Sequence, residues 1–104
     1  MFATIRRYEG VDPARTSEVS RKVKETLIPE LSKLDGFAGY FLIEGSNGVL
    51  SSLGLFERQE QVEESTKLVA KWITEEHLDK VIPNAPKITN GKVVAHNDRM
   101  VAFV

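Results

Sequence analysis

The sequence predicts an α+β sandwich: one sheet of four antiparallel strands with two helices on one of its faces. Three observations carry this reading. Two stretches with apolar residues at helical spacing alternate with short β-branched and aromatic runs. Strings rich in glycine or proline separate the segments. Their order is strand, helix, strand, strand, helix, strand, and its two crossovers place both helices on the same side.

Phe2 to Tyr8 lacks a helical stripe and runs into Glu9-Gly10, so it reads as a first strand and its stop. Asp12 before Pro13 sets an N-cap at a residue whose φ is already helical. Val19, Val23, Leu27, Leu31 and Leu34 then recur every three or four positions as the first helix. Pro29 lacks an amide donor and crowds the preceding turn, which predicts a kink or break near Leu27 and Ile28. Asp35-Gly36 supplies the left-handed stop. Phe37 to Glu44 and Val49 to Glu57, joined by Gly45-Ser46-Asn47-Gly48, form a β-hairpin. Neither strand alternates cleanly, which implies that both sheet faces are covered. Arg58 to about Glu76 is the second helix, with Val62, Thr66, Val69 and Ile73 on its apolar stripe. Pro83-Asn84-Ala85-Pro86 ends helical structure. Lys87 to His96 is extended, with a turn expected at Asn90-Gly91. The sum is a ferredoxin-like βαββαβ domain over residues 1–97, followed by a short apolar tail at 98–104. Leu42, Leu53 and Phe56 are expected on the sheet face away from the helices, where a second copy would have to cover them.

Composition narrows the function classes. The chain has 104 residues, enough for one small domain and too few for two. Fourteen Lys and Arg against fifteen Asp and Glu leave a net charge of -1, which gives no electrostatic pull toward nucleic acid or anionic lipid. The absence of cysteine removes disulfides, thiolate nucleophiles and thiolate metal sites, and fits a cytoplasmic location. No window approaches the ~18 apolar residues of a membrane span, and the first residues lack the order of a signal peptide. Two histidines without companion ligands at useful spacing predict no metal site, His96 in the last strand included. Gly45-Ser46-Asn47-Gly48 joins two strands and so is a turn, not the helix-joining loop that clamps a nucleic-acid backbone. No phosphate-cradling glycine string or nucleophile elbow occurs.

The element order, Gly36-Phe37-Ala38-Gly39-Tyr40 opening strand two, Leu55-Phe56-Glu57 closing strand three and Trp72 late in helix two together resemble the dimeric α+β barrel superfamily, specifically antibiotic biosynthesis monooxygenase-like (ABM) proteins. The resemblance spans residues 1 to about 97. It implies two protomers joined through their sheet faces as halves of one barrel, each keeping a pocket between sheet and helices. It also implies a small organic ligand and, among the family's varied activities, a cofactor-independent monooxygenase acting on a planar molecule. A haem-degrading relative would resemble this chain in Trp72 and His77. Strand one, however, has no Asn, and Trp72 and His77 lie closer together than in that branch.

Seven residues are the candidates for a site. His77 lies on one edge of the helix-two stripe, where a neutral imidazole could act as general base or simply meet the helix dipole. Trp72 lies on the other edge, as a pocket wall or a core-edge tryptophan. Arg6 and Arg7 are consecutive in strand one, so alternation sends one toward the helices and the other to the opposite face. A buried guanidinium demands an anionic or carbonyl partner, from a ligand or from a structural salt bridge, such as one across a dimer to Glu44 or Glu57. Tyr8 and Tyr40 bring phenols to a pocket or to a core rim. Ser65 interrupts the apolar face of helix two, for a ligand or for close packing. Against enzymatic function stands a non-catalytic dimer that carries or senses a small ligand, or a stress-response protein of the same fold. An interior already filled by side chains would favour these.

Overall fold

A computed structural model describes residues 1–97 of the chain; the tail expected at 98–104 lies outside the described residues. Strand β1 (Phe2–Tyr8), helix α1 (16–32), the hairpin strands β2 (Phe37–Glu44) and β3 (Leu50–Phe56), helix α2 (Gln59–Glu75) and strand β4 (Lys87–Lys92) follow in that order. They build one four-stranded sheet of order β2-β3-β1-β4, antiparallel at every pairing, which is the ferredoxin-like α+β arrangement.

Asp12 caps a single 3-10 turn, Pro13–Arg15, by accepting the Ala14 amide at 3.0 Å. Helix α1 survives Pro29 by widening. Between its α-helical parts, Thr16–Lys22 and Ile28–Ser32, residues Val23–Leu27 form a π turn. A widened turn of this kind accommodates a residue that lacks an amide donor and crowds the turn before it. The helix therefore neither breaks nor ends at Leu27 and Ile28. In the hairpin, Asn47 (φ 58°) and Gly48 (φ 74°) take left-handed conformations, and a Cβ on Gly48 would stand 2.5 Å from the Val11 carbonyl oxygen.

Burial alternates along β1 and β3. Thr4, Arg6 and Tyr8 on β1 and Leu50, Ser52, Gly54 and Phe56 on β3 are buried beneath the helices. A bulge between Phe37 and Gly39 sets the phase of β2, so Tyr40 and Leu42 join that face. Leu42 and Phe56 are therefore on the helix side, not the outer side that simple reading of their strands suggested. The outer face carries Ile5, Leu53 and Phe41 in one cross-strand row, with Leu55 and Ile43 beside it. Ile5 and Ile43 are 44% and 55% exposed.

Asn90-Gly91 makes no turn. Both residues run extended in β4, opposite Thr4 and Ala3. Strand β4 is an edge strand, exposed along its whole length, because neither helix lies over it.

Candidate functional site

The gap between α2 and β4 brings the candidate side chains of Arg6 and Tyr8 to one cleft. Strand β1 forms its floor. Alternation turns Arg6 toward the helices and Arg7 away from them. Arg7 is exposed and pairs within its own chain with Glu9 at 3.0 Å. Lys87 of β4 shares the same carboxylate at 3.5 Å, and these two cations hold the Glu9 carboxyl below its usual range, the Arg7 hydrogen bond first.

Arg6 is 1% exposed, and among the described residues no carboxylate pairs with it. Its Nη2 donates to Ser65 Oγ at 2.8 Å and to Thr66 Oγ1 at 2.9 Å. Both hydroxyls in turn donate to the Val62 carbonyl, at 2.7 and 3.2 Å, which turns their lone pairs toward the guanidinium. Ser65, fully buried, is half of the cradle under Arg6. Arg6 Nε is buried without a partner, as is Thr4 Oγ1 two residues earlier on the same face of β1. Burial pulls the Arg6 pKa down, the nearby Tyr8 and Tyr40 phenols opposing it. A guanidinium nonetheless stays charged at any ordinary pH.

Above Arg6 lies a cleft of about 290 Å³. Tyr8 and Thr66 line it beside Arg6. Its apolar walls come from Ala70 and Ile73 of α2, from Ile82 to Pro86, and from Ile88 of β4. The wall is delivered by the way α2 ends. His77, in the left-handed conformation (φ 56°), follows the last helical turn, and the Leu78 amide bonds back to the Ile73 carbonyl at 2.9 Å. Leu78 and Val81 are then fully buried, which carries Ile82 and Pro83 to the mouth. Asn84 Nδ2 donates to the Glu9 carbonyl at 3.0 Å, tying the segment to the end of β1.

Burial raises the Tyr8 phenol to about 12, with the Arg6 charge pulling against it. Burial raises Tyr40 as well, the Ser52 hydroxyl and Arg6 opposing. Both phenols are hydrogen-bond donors at neutral pH and poor bases.

The remaining candidates do not meet at this cleft. Tyr40 and Trp72 line the space between sheet and helices together with Tyr8, and that space is nearly filled, at about 20 Å³. Trp72 belongs to the core, 7% exposed, and donates its indole N–H to Thr26 Oγ1 of the π turn at 2.7 Å. The buried stripe of α2 runs through Gln61, Val62, Ser65, Val69 and Trp72, with Ser65 and Val69 central and the indole toward its edge. His77 is exposed and lines neither the cleft nor the interior space. Among the described residues no three His, Asp or Glu side chains converge as a metal-binding group, and no helix is long and apolar enough to cross a membrane.

Sequence reading did not anticipate Thr66 as a partner of Arg6, nor the wall formed by Ile82 to Pro86 and Ile88. Two consecutive hydroxyls on a helix that must face an arginine-bearing strand were the available signal. The wall had none, since it comes together only through the sheet.

No protein-family model matches the chain, and the search of curated proteins found no match. Solved structures do resemble it. A protein of unknown function from Nitrosomonas europaea is 13% identical, with 96% of this chain and 95% of that one covered at a TM-score of 0.72. A monooxygenase from Streptomyces coelicolor, in complex with the ligand nanaomycin D, is 12% identical over 95% of this chain and 92% of that one, TM-score 0.71. An antibiotic biosynthesis monooxygenase is 11% identical over 91% and 100% of the two chains, TM-score 0.68. At these identities the likeness is one of fold: the chain has the ABM-like α+β fold.

Proposed function

We propose that the α2–β4 cleft binds a planar, partly apolar organic molecule, and that the chain acts on it as a small ABM-like monooxygenase that pairs with a second copy through the outer sheet face. The observation carrying this reading is a buried guanidinium without a carboxylate partner beneath an open apolar cleft. Apolar walls would hold a ring system and exclude water from it. Arg6 favours negative charge on the guest, and the protonated Tyr8 phenol donates a hydrogen bond to its oxygens.

Oxygenation without a cofactor draws every electron from the substrate. A C–H bond of an activated methylene gives up its proton and the carbanion reduces O2. One oxygen atom stays as the new carbonyl, and the other leaves as water with both methylene hydrogens. The described residues of the cleft include no unprotonated base, so the proton leaves through the open mouth to solvent. The monooxygenase neighbours support this reaction class.

The test is oxygen uptake by purified protein with a panel of phenols, quinols and anthrones, before and after Ile88→Trp fills the cleft at an exposed strand position. Uptake that the Trp variant abolishes supports the proposal; absence of both uptake and thermal shift across the panel removes it. A second reading, a non-catalytic binder of the same kind of molecule, is favoured by the nearly filled interior. Thermal shift without oxygen uptake is its signature.

A further inference from the structure

We infer that the guest of this cleft is an organic monocarboxylate, its carboxylate on the Arg6 guanidinium and its planar apolar body against Ile73, Ile82, Pro83 and Ile88. The inference rests on the α2–β4 cleft being the guest site. The charge balance of the lining chooses the class. Among the residues that line the cleft Arg6 is the single ionisable cation, and no acidic side chain accompanies it. The site therefore carries one positive charge in a largely apolar surround.

A neutral guest would leave that buried charge without a counter-ion, which is costly. A dianion such as a phosphate monoester would bring one charge too many, with no Lys and no helix N-terminus at the cleft to meet it. A single carboxylate balances the guanidinium charge. The donor inventory agrees. Nη2 is spent on Ser65 and Thr66, whereas Nε has no partner. The Ser65 and Thr66 hydroxyls hold the fork in place from the helix side, so little rotamer freedom remains to be lost when an anion arrives. In this assignment Arg6 is an anchor for the guest's permanent charge, and the reacting carbon lies farther along the apolar wall.

Three probes of one shape separate the classes: 2-naphthoate, its neutral carboxamide and 2-naphthyl phosphate, titrated calorimetrically against the wild-type chain. Naphthoate is expected to bind at least about tenfold more tightly than either analogue, the fold-change of one charge-assisted buried pair. Arg6→Met should remain folded, with a Tm no lower than wild type, because a flexible apolar chain of similar length replaces a buried charge. It should lose the naphthoate preference while binding the carboxamide unchanged. Should Arg6→Met fail to fold by circular dichroism, Ile88→Glu on the exposed edge strand puts a like charge at the mouth. That variant should weaken naphthoate more than the carboxamide. Carboxamide or phosphate bound as well as naphthoate would overturn the monocarboxylate and leave the cleft as a binding site. So would a naphthoate affinity that neither variant changes. Failure of all three probes would remove the cleft reading as well.

Discussion

Arg6 is the residue on which the proposed function turns, and its cost is visible in its surroundings. A buried guanidinium satisfied by two hydroxyls is a weak structural device, since burying a charge is repaid only by an opposite charge in good geometry. Tyr8, beside it, makes a stability prediction. Its phenol titrates at about 12 in the folded chain, against 10.0 for a free tyrosine, because burial disfavours the phenolate. The raised value means that stability from the neutral phenol is complete below pH 10 and is lost as pH rises through 12. The two-unit shift corresponds to at most roughly 3 kcal/mol. Unfolding by urea at a series of alkaline pH values should show this decline, and Tyr8→Phe should lessen it, the part due to Tyr40 remaining. Tyrosinate absorbance in the folded chain should rise later than in the urea-unfolded chain. Coincident titrations would show that Tyr8 is not buried as described.

At the scale of elements, the ends and irregularities do the positioning. The π turn accommodates Pro29 and also presents Thr26 to the Trp72 indole, which fastens α1 to α2. The left-handed residue after α2 sends the chain back under the helix and so builds the cleft wall. That residue is His77, and a β-carbon in this conformation costs about 1 kcal/mol. His77→Gly should therefore raise stability by roughly 0.5–1 kcal/mol, read from thermal unfolding. Because the imidazole is exposed and away from the cleft, oxygen uptake should be unchanged in this variant. Loss of turnover with stability retained would return His77 to the role of general base. The edge strand β4 completes the set. Uncovered by either helix, it leaves the gap over Arg6 that a fully overlaid sheet would close.

At the scale of the whole molecule, the two faces of the sheet have different fates. The helix face is buried, whereas the outer face carries the apolar row Ile5, Leu53 and Phe41 with Ile43 and Leu55 nearby. Paired sheets from two copies would cover this surface, as the proposed assembly requires. The chain is expected to elute as a dimer at micromolar concentration. Leu53→Glu, at the middle of the row, should shift it to a monomer that keeps its circular dichroism. A wild-type monomer, by light scattering, would refute the pairing.

Sequence alone determined the order of elements, the antiparallel sheet with its helices and the alternation that separates Arg6 from Arg7. All of these follow from local periodicity, turn chemistry and the chirality of crossovers, which act between near neighbours in the chain. Tertiary structure decided which arginine faces inward, that Ser65 and Thr66 are its partners, and that Trp72 is core while His77 stands apart. It also decided that the space between sheet and helices is nearly filled while a cleft stays open over Arg6 beside β4. Those outcomes depend on the bulge that sets the phase of β2 and on contacts between residues some sixty positions apart. No local pattern encodes such contacts, because the sheet brings their partners together only after the elements have formed.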